Sequence, residues 1–509
     1  MLIKVFGAAV QGIDATVVTI EVNTSRGIRF FLVGLPDSAV RESHERIVSA
    51  LQCIGLKIPS RQIIVNMSPA DIRKEGAAYD LPLAIGILAS GEIISSGGLA
   101  DYLIMGELSL DGSLLPVKGA LSMAVRAAAE GFKGIILPAG NAREAALVRG
   151  LDVYGAENIA QVIDFLDGSP CLEPFPASDW NTGNDADNSA LDYSDVKGQQ
   201  AVKRAIEVAA AGSHNILMSG PPGSGKSMIA QRMPSILPPL SMAESLETTK
   251  IHSVAGLTAP DMPLITTRPF RSPHHTISSA ALVGGGVNAQ PGEISLAHNG
   301  VLFLDELPEY KTSVLEVLRQ PLEDRRIRIA RSRYCVEYPA SFMLVASMNP
   351  CPCGYYGHPT RPCTCRPDMI SRYRNRISGP LMDRFDIQCA IQPVSVGDIS
   401  SGVSGEPSAA IRERVIRARL IQEERFRAEQ GIYSNAQMTD RLLHRYCVLD
   451  AQTGAMLRKA MTQLNLSARA YSRILKVART IADLEGCDSI GMSHIAEAIG
   501  YRQLDRGDV

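Results

Sequence analysis

The sequence predicts an α/β protein with a helical C-terminal region, and three observations support this fold class. A glycine-rich stretch, residues 220–227, lies between a short apolar run and a helix-forming run. A second apolar run, residues 301–304, ends in the carboxylates of Asp305 and Glu306. Residues 409–509 contain almost no strand-like segments and have the pattern of a helical bundle. Polar residues directly after buried strands are typical of α/β sheets, where ligands bind at the carboxyl ends of the strands.

Length and composition limit the kinds of protein that this chain can be. Its 509 residues are enough for about two to four domains, and a composition of 45% hydrophobic and 20% charged residues is ordinary for a globular protein. The sequence contains no apolar run of the ~18 residues that a membrane span requires and no signal-peptide core. We therefore expect a cytoplasmic protein without a membrane partner. Because the formal net charge is only −2, nucleic acid would have to bind at a local basic patch.

Shifts in composition predict the domain organisation. We expect residues 1–167 to form an α/β domain, because β-branched runs alternate there with helical stretches. Residues 168–190 are rich in Pro, Asp, Asn, Ser and Gly, which predicts a linker. Residues 191–395 contain the glycine-rich stretch and several apolar runs, and residues 396–509 form the helical region.

Four elements of the first domain can be predicted individually. The β-branched runs at residues 17–22 and 63–66 predict strands. Apolar residues recur at helical spacing over residues 38–53, and residues 120–130 also have a helical pattern.

The glycine-rich stretch fits the phosphate-loop pattern GxxxxGK[ST] at every fixed position. Glycines let backbone N–H groups turn toward phosphate oxygens, and the dipole of the following helix favours the same negative charge. Lys226 is predicted to reach the β- and γ-phosphates of a nucleotide, and the Ser227 hydroxyl to hold Mg²⁺. The predicted phosphate-loop residues are Gly220, Pro221, Pro222, Gly223, Ser224, Gly225, Lys226 and Ser227.

The polar residues after the next two apolar runs are candidates for catalysis. Asp305 is expected at the carboxyl end of its strand, where it would support the Mg²⁺ ion. Glu306 would be the general base that polarises the attacking water. A further apolar run, residues 342–347, leads to Asn349, whose amide can bond the water or the γ-phosphate without adding charge. Asn349 alone is a weak signal, because Asn-Pro is also an ordinary turn.

Several segments together resemble the YifB/ComM branch of the magnesium-chelatase-like AAA+ ATPases, over essentially the whole chain. Besides the phosphate loop, the acidic strand and Asn349, the segments are Asp195-Val196-Lys197-Gly198-Gln199, Arg268-Pro269-Phe270-Arg271-Ser272-Pro273-His274-His275, residues 291–300 and residues 378–386. The resemblance implies an AAA+ P-loop core with a C-terminal α-helical lid, which binds ATP and Mg²⁺ and uses Val196 and Gly198 to contact the nucleotide. The activity it implies is that of a hexameric DNA helicase, which drives branch migration in homologous recombination during natural transformation.

The resemblance also implies two arginines that act between subunits. Arg384 matches the arginine finger, which would reach the γ-phosphate of a neighbouring subunit, and Arg469 matches sensor 2 on the helical lid. Each would supply a fixed cation where negative charge develops during phosphoryl transfer. Arg372 and Arg376 are close enough in sequence to be alternatives for the finger. A finger that works in trans requires a homo-oligomeric ring.

Two segments are candidates for binding single-stranded or branched DNA. Residues 325–334 alternate arginine with apolar residues, which predicts a hairpin with one basic face. In related AAA+ motors a hairpin at this point enters the ring pore, where arginines contact DNA phosphates without reading sequence. Residues 271–288 match an insertion of the family, and the alternative for both segments is a solvated basic edge. The predicted DNA-binding residues are Arg331, Arg333, His274 and His275.

Four of the ten cysteines form a cluster of two Cys-x-Cys pairs. Four thiolates can bind Zn²⁺ tetrahedrally, with His358 as a spare ligand, although the spacing departs from the usual Cys-x-x-Cys. Buried free thiols or a redox pair are the alternatives. A zinc site would stiffen the loop before Arg384 and couple hydrolysis to the subunit interface. The predicted ligands are Cys351, Cys353, Cys363 and Cys365.

The N-terminal domain resembles the S5-like α/β fold of the Lon proteolytic domain over residues 69–84 and 106–121. A protease of that type needs a serine nucleophile and a lysine base. Asp80 falls at the serine position and Leu121 at the lysine position, so we expect a proteolytically inactive scaffold. Three basic residues of this domain are weaker candidates for binding DNA: Arg41, Arg73 and Lys74.

The leading prediction is therefore an ATP-dependent, ring-forming DNA motor. The first alternative is a magnesium-chelatase-type motor subunit that remodels a porphyrin-inserting partner, although such subunits are not expected to carry the Lon-like domain. The second is an AAA+ protein-remodelling chaperone or protease, which aromatic pore loops would favour and which the sequence does not clearly support.

Overall fold

The structure is a computed structural model, and it describes residues 2–176, 191–258, 263–286, 289–331, 334–393, 404–429, 431–464 and 466–502. The chain divides into two compact units. The first unit comprises Met1–Thr182, Met242–Ile265 and Ala330–Tyr338. The second comprises Gly183–Ser241, Thr266–Ile329 and Pro339–Val509.

A mixed seven-stranded sheet forms the centre of the first unit. Its strands, with the small pair β6 and β7, are β1 (Leu2–Gln11), β2 (Asp14–Ser25), β3 (Phe30–Val33), β4 (Gln62–Ser68), β5 (Tyr102–Ile104), β6 (Glu107–Leu108), β7 (Leu114–Leu115), β8 (Gly134–Pro138) and β9 (Asp152–Ala156). The strand order is β3-β4-β2-β1-β5-β8-β9. β2 pairs antiparallel with both β1 and β4, and the other neighbours run parallel. The strands predicted at residues 17–22 and 63–66 are confirmed as parts of β2 and β4.

Helices cover this sheet and complete the core of the first unit. They are Ser38–Arg41, Ser43–Cys53, Asp80–Ser90, Ala120–Ala129, Ala139–Ala145, Ile159–Leu166 and Met242–Ala255, with 3-10 turns at Ala77–Tyr79 and Leu99–Asp101. Every residue of the helix Asp80–Ser90 is buried, so this helix is the centre of the packing. The single helix predicted over residues 38–53 is divided at Glu42, which ends the first helix and precedes the second. At the start of the second helix, the Ser43 hydroxyl donates to the Asp80 carboxylate at 2.5 Å.

The buried carboxylate of Asp80 is held by a dense set of donors. The side chain of Asp80 is fully buried. The Arg46 guanidinium contacts both carboxylate oxygens, at 2.7 and 2.8 Å, and the Leu108 N–H lies at 3.3 Å. Removing one partner of such a buried pair costs about 3–5 kcal/mol, because the other charge stays buried without compensation. Asp80 therefore stabilises the contact between two helices of this unit.

Lys74 is buried as well, so the prediction that it is a candidate for binding DNA at the surface of this domain is wrong. Its side chain has no exposed area, and its ammonium donates to the Pro69 carbonyl. Burial lowers the pKa of Lys74, and the Asp71 carboxylate partly opposes that shift. A lysine without solvent exposure cannot contact a DNA phosphate, so it does not belong to a surface patch.

The second unit is built on a five-stranded sheet in which all strands run parallel. Its strands are β10 (Ile216–Ser219), β11 (Phe270–Arg271), β14 (Val301–Leu304), β17 (Met343–Met348) and β18 (Ile387–Ala390). The order is β11-β14-β17-β10-β18. β10, β14 and β17 are buried at every residue, as expected for a parallel sheet that is covered on both faces. This order places β17 between the strand before the phosphate loop and the strand before Asp305.

Two further strand pairs lie outside the two large sheets, and Ala330–Tyr338, in the second of these pairs, belongs to the first unit. Their strands are β12 (Gly284–Gly285), β13 (Gln290–Pro291), β15 (Arg326–Arg331) and β16 (Tyr334–Pro339). The hairpin predicted at residues 325–334 is thus present, and its second strand continues to Pro339. Arg333 lies outside the described residues, and Arg331 is described by its backbone at the end of β15.

Helices surround the parallel sheet and make up the described elements of residues 404–502. Up to residue 393 they are Gln200–Gly212, Lys226–Gln231, Met233–Ile236, Ser279–Val283, Glu293–Leu296, Thr312–Glu316, Arg319–Asp324, Pro367–Arg374 and Gly379–Met382. Beyond it they are Ser408–Phe426, Asp440–Tyr446, Ala451–Gln463, Ala468–Leu484 and Met492–Gly500. Short 3-10 turns occur at Tyr193–Asp195, Leu307–Glu309 and Asn435–Gln437. Among the described residues, no helix has the length and apolarity needed to cross a membrane.

Candidate nucleotide-binding site

The phosphate loop joins β10 to the helix Lys226–Gln231, as the sequence predicts. Gly223 and Gly225 have φ angles of +75° and +85°, which L-residues with a side chain rarely adopt. A Cβ atom on Gly220 would lie 2.7 Å from the Ile391 carbonyl oxygen, so this position has no room for a side chain. Glycine is therefore strongly favoured at these three positions of the loop. Its backbone can turn toward an anion at the start of the helix.

The Lys226 ammonium lies over the phosphate loop. Its Nζ donates to the carbonyl oxygens of Gly220 at 2.7 Å and Pro221 at 2.9 Å, and to Oδ1 of Asn349 at 3.3 Å. Burial lowers the pKa of Lys226, and the carboxylates of Asp305 and Glu306 partly offset the shift. Three neutral oxygen acceptors compensate a half-buried cation poorly, so phosphate oxygens are better partners for it. This arrangement of Lys226 fits the phosphates of a nucleoside triphosphate.

A hydrogen-bonded chain connects Ser227, Asp305 and Ser347. The Ser227 hydroxyl donates to Oδ2 of Asp305 at 2.6 Å. The other carboxylate oxygen, Oδ1, accepts the Ser347 hydroxyl and the Glu306 N–H, the latter at 3.0 Å. A hydroxyl beside an anchored carboxylate is the ligand set that Mg²⁺ takes in nucleotide sites. Ser227 and Asp305 thus fit the ion that the sequence predicts here.

Ser347 is a site residue that our sequence reasoning missed. It lies in β17, where the register pairs Ala346 with Leu304, so Ser347 is level with Asp305. In the sequence it falls within the apolar run of residues 342–347. A single hydroxyl at the end of an otherwise apolar strand, next to the Asn349 turn, was the signal that could have identified it.

Glu306 has an unusual backbone and an exposed side chain. Its φ of +52° is in the left-handed region, which is uncommon for a residue with a Cβ. Its N–H donates to Asp305 Oδ1 and, at 3.3 Å, to the Ser347 hydroxyl, and these bonds hold the strained turn. The turn directs the exposed Glu306 side chain away from the buried sheet. This position suits a carboxylate that binds water.

The segment before the helix Gln200–Gly212 reaches the phosphate loop through Gln199. Its side-chain amide donates to the Ser224 carbonyl at 2.8 Å. Val196 is buried, and Gly198 has a φ of +62°. The structure therefore places both predicted nucleotide contacts in a segment that is hydrogen-bonded to the loop.

Arg384 does not project freely from the single chain. It is buried, its guanidinium forms an ion pair with Glu323, and Nη1 donates to the Pro380 carbonyl at 2.6 Å. Burial lowers the pKa of Arg384, the Glu323 carboxylate opposes the shift, and nearby arginines add to it. To act as a finger, Arg384 would have to exchange Glu323 for a phosphate of the neighbouring subunit.

The other candidate arginines are exposed. The side chain of Arg469 is 65% exposed and lies 3.4 Å from the carboxylate of Asp383. Asp383 directly precedes Arg384 in the chain. Arg372 is 80% exposed and pairs with Asp368. Arg376 contacts Glu309 at 3.0 Å, in the 3-10 turn that follows Glu306. Arg376 therefore lies beside the turn that follows Asp305 and Glu306 in its own chain.

The two histidines predicted to bind DNA lie close to Tyr310, which follows the 3-10 turn Leu307–Glu309. The rings of His274 and His275 are 4.0 Å apart, and His275 faces the ring of Tyr310. The Tyr310 hydroxyl donates to the Pro273 carbonyl at 2.6 Å. His274 is exposed and bonds Thr276. This segment is thus attached to the chain that follows Glu306, whereas nothing in its geometry distinguishes a DNA contact.

The parallel sheet, the glycine loop and the paired hydroxyl and carboxylate define a P-loop nucleotide-binding protein of the AAA+ class. The family described as magnesium chelatase, subunit ChlI, matches residues 192–399, and its C-terminal part matches residues 405–502. Residues 20–141 match the family described as subunit ChlI of Mg-chelatase.

Similar proteins extend this result to the whole chain. The chain is 44% identical to the competence protein ComM of Haemophilus influenzae in an alignment of 511 positions, which covers 99% of this chain and 97% of that protein. It is 43% identical to protein YifB of Salmonella typhimurium, over 98% of this chain and 96% of the relative. A weaker match, 27% identical, joins 33% of the chain to 30% of the magnesium-chelatase 67 kDa subunit of Heliobacterium mobile.

The chain belongs to the YifB/ComM family of magnesium-chelatase-like AAA+ proteins. Membership in this family implies ATPase activity with ATP and Mg²⁺, and proteins of this type commonly oligomerise.

Ser347→Ala tests whether Asp305 is held in place by the hydroxyl of β17. We expect ATP hydrolysis to need about 10- to 100-fold more Mg²⁺ for half-maximal rate, because supporting residues of metal sites have effects of this size. The KM for ATP at saturating Mg²⁺ should change little. Titration of Mg²⁺ in a steady-state ATPase assay measures this, with Ser25→Ala at the exposed end of β2 as the control. An unaltered Mg²⁺ requirement would show that Ser347 does not position the carboxylate.

Proposed function

We propose that the chain is an ATP-driven, ring-forming DNA motor that acts as a helicase or branch-migration translocase in homologous recombination or natural transformation. The observation that carries the proposal is the contact of Lys226 and Ser227 with Asn349 and Asp305 at the end of one parallel sheet. The name of the 44% identical relative, competence protein ComM, supports a role with DNA taken up by cells.

In this proposal the phosphate loop holds the nucleotide, and Lys226 binds its terminal phosphates. Ser227 and Asp305 hold Mg²⁺, which neutralises charge on the phosphate oxygens when it is bound. Glu306 accepts the proton of the attacking water, and the Asn349 amide orients that water or the γ-phosphate. Arg384 and Arg469, in a ring of identical subunits, add positive charge at the interface.

The connection from the site to DNA runs through the hairpin of β15 and β16. At its base, the Arg325 guanidinium donates to the carbonyls of Gly431 at 3.1 Å and Gln437 at 3.2 Å. The Ala340 N–H donates to the Arg325 carbonyl at 2.8 Å. The chain then enters β17, which leads to Asn349 at the nucleotide. A displacement of Asn349 during hydrolysis would therefore be carried along β17 to Ala340 and Arg325, at the base of the hairpin.

The N-terminal unit is proposed to be a scaffold without protease activity. A carboxylate at the position that the resemblance assigns to a serine cannot become an acyl-transfer nucleophile. Asp80 is also buried and bonded to Arg46 and Ser43, so its carboxylate is not available to a substrate. These contacts favour a structural role for the residue.

A magnesium-chelatase-type motor subunit is the second candidate, favoured by the descriptions of the matching families. The expectation that a distinct N-terminal domain separates the two functions gains no support, because residues 20–141 also match a chelatase description. The contrast between 44% and 27% identity favours the DNA motor. ATPase activity that responds to a porphyrin and ignores DNA would favour the chelatase function instead.

ATP turnover with and without DNA tests the proposed function. We expect hydrolysis to rise on addition of single-stranded, duplex or forked DNA, and branch migration to depend on ATP. Lys226→Ala should lose nucleotide binding and turnover, because the phosphates lose their cation. Glu306→Gln should still bind ATP while turnover falls by at least about 100-fold, in line with the usual contribution of a general base. Glu423→Gln, on an exposed helix face, is the matched control. Equal rates with and without every DNA would exclude a DNA-driven motor.

The double substitution Arg331→Ala and Arg333→Ala tests the proposed pore hairpin. We expect weaker binding to all DNA sequences. The slope of log K against the logarithm of the salt concentration should fall in magnitude by about two, one for each lost phosphate contact. Fluorescence anisotropy across a range of salt concentrations measures both quantities. Arg427→Ala with Arg441→Ala, two exposed arginines of the helical region, is the matched control. If affinity and salt slope stay at their original values, DNA binds elsewhere.

A further inference from the structure

Four cysteine sulfurs that lie apart in sequence meet beside the nucleotide site. The Sγ atoms of Cys351, Cys353, Cys363 and Cys365 all lie within 4.8 Å of one another. Cys351 is buried and the other three are half-buried.

The distances between these sulfurs match metal ligation and differ from those of a disulfide. Sγ of Cys351 lies 3.3 Å from that of Cys353 and 3.6 Å from that of Cys363, and the Cys353 and Cys363 sulfurs are 3.5 Å apart. A disulfide would bring two sulfurs to about 2.05 Å. A tetrahedral zinc site with Zn–S bonds of about 2.3 Å places its sulfurs about 3.8 Å apart. Of the two arrangements, the observed separations are much closer to the second.

His358 lies in the loop between the two cysteine pairs and bonds the backbone of that loop. Nδ1 of His358 accepts the backbone N–H groups of Thr360 at 3.2 Å and Arg361 at 3.1 Å, which turns the ring to its own loop. The Arg361 guanidinium donates to the Tyr355 hydroxyl at 3.0 Å. The expectation that His358 serves as a spare ligand gains no support from this geometry, and four thiolates remain as the ligand set.

The cluster is linked to the phosphate loop at two points. Cys351 follows Asn349 by two residues, and Asn349 accepts from the Lys226 ammonium. Gly354, in the turn after the first cysteine pair, has a φ of +84°, and a Cβ atom there would lie 2.6 Å from Cδ of Pro222. The turn that carries two sulfurs thus packs directly on the loop that is expected to hold the phosphates.

We propose that Cys351, Cys353, Cys363 and Cys365 bind one Zn²⁺ ion, and that this ion holds the Gly354 turn against Pro222 so that metal occupancy controls nucleotide affinity. All four coordination positions are filled by protein, so the ion has a structural role. It ties the segment after Asn349 to the start of the helix Pro367–Arg374 and thereby fixes the intervening loop. Without the ion, the loop gains conformational freedom, and the support behind the phosphate loop is lost.

The metal content of the purified full-length chain tests the first half of the proposal. We expect about one zinc ion per chain by elemental analysis, and visible absorption bands of tetrahedral cobalt thiolate after exchange with Co²⁺. Cys363→Ser with Cys365→Ser should abolish both signals. Cys53→Ser with Cys171→Ser, which changes two exposed cysteines outside the cluster, should retain both. A metal-free native protein whose four clustered thiols react freely with a thiol reagent would overturn the site.

Nucleotide binding before and after metal removal tests the second half. We expect chelation of zinc from the unmodified chain to weaken binding of a fluorescent ADP analogue by about tenfold or more, because a phosphate loop without its support has to be ordered when the nucleotide binds. Readdition of Zn²⁺ should restore the affinity. The Gly354→Ala variant should keep its zinc. Its affinity for nucleotide should nevertheless fall, because the new Cβ displaces Pro222. Unchanged affinity in the metal-free chain would exclude the coupling.

The coupling relies on nucleotide binding at the phosphate loop, which is part of the proposed function, yet the two can fail separately. Zinc content and cobalt spectra do not depend on nucleotide or DNA. If zinc is present and no nucleotide binds in any state, the proposed function and the coupling fail while the metal site stands. If nucleotide binds and its affinity ignores zinc, the coupling alone fails.

Discussion

The hydrogen bond between the Ser227 hydroxyl and the Asp305 carboxylate, at 2.6 Å, is the contact on which the rest of the site depends. It connects the helix after β10 to the end of β14, although β17 lies between these strands. Ser347 of β17 completes the connection from the other carboxylate oxygen. Because all three strands run parallel, their carboxyl ends meet at one edge, and a phosphate loop there has acidic and amide side chains within reach.

β17 relates the nucleotide site to its surroundings in both directions along the chain. Before it, the hairpin base at Arg325 is bonded to the helical region at Gly431 and Gln437. After it, Asn349 contacts Lys226, and the cysteine cluster packs through Gly354 on Pro222. A packed strand transmits displacement because protein interiors are too dense to absorb it locally. The contacts of Asn349, the bonded residues at the base of the proposed DNA hairpin and the proposed metal site are therefore all connected to the same buried strand.

Much of this architecture was accessible from the sequence, and the exceptions have physical reasons. The phosphate loop, the acidic strand and Asn349 were predictable because each is a local pattern directly after an apolar run. The burial of Lys74 and the ion pair of Arg384 with Glu323 arise from residues far apart in sequence, and no local pattern carries them. The hydroxyl of Ser347 at the end of an apolar strand was a local signal, whereas its bond to Asp305 needed coordinates. The proximity of four sulfurs was suggested by spacing, whereas the contact of Gly354 with Pro222 needed coordinates.

A structure of the full chain with Mg²⁺ and a non-hydrolysable ATP analogue tests the central claim most directly. The account predicts that Ser227 and Asp305 bind the ion, that Asp305 keeps its bond to Ser347, and that the Lys226 ammonium leaves the Gly220 and Pro221 carbonyls for the phosphates. A nucleotide bound elsewhere, or a Lys226 ammonium still paired with those carbonyls beside a bound triphosphate, would contradict it.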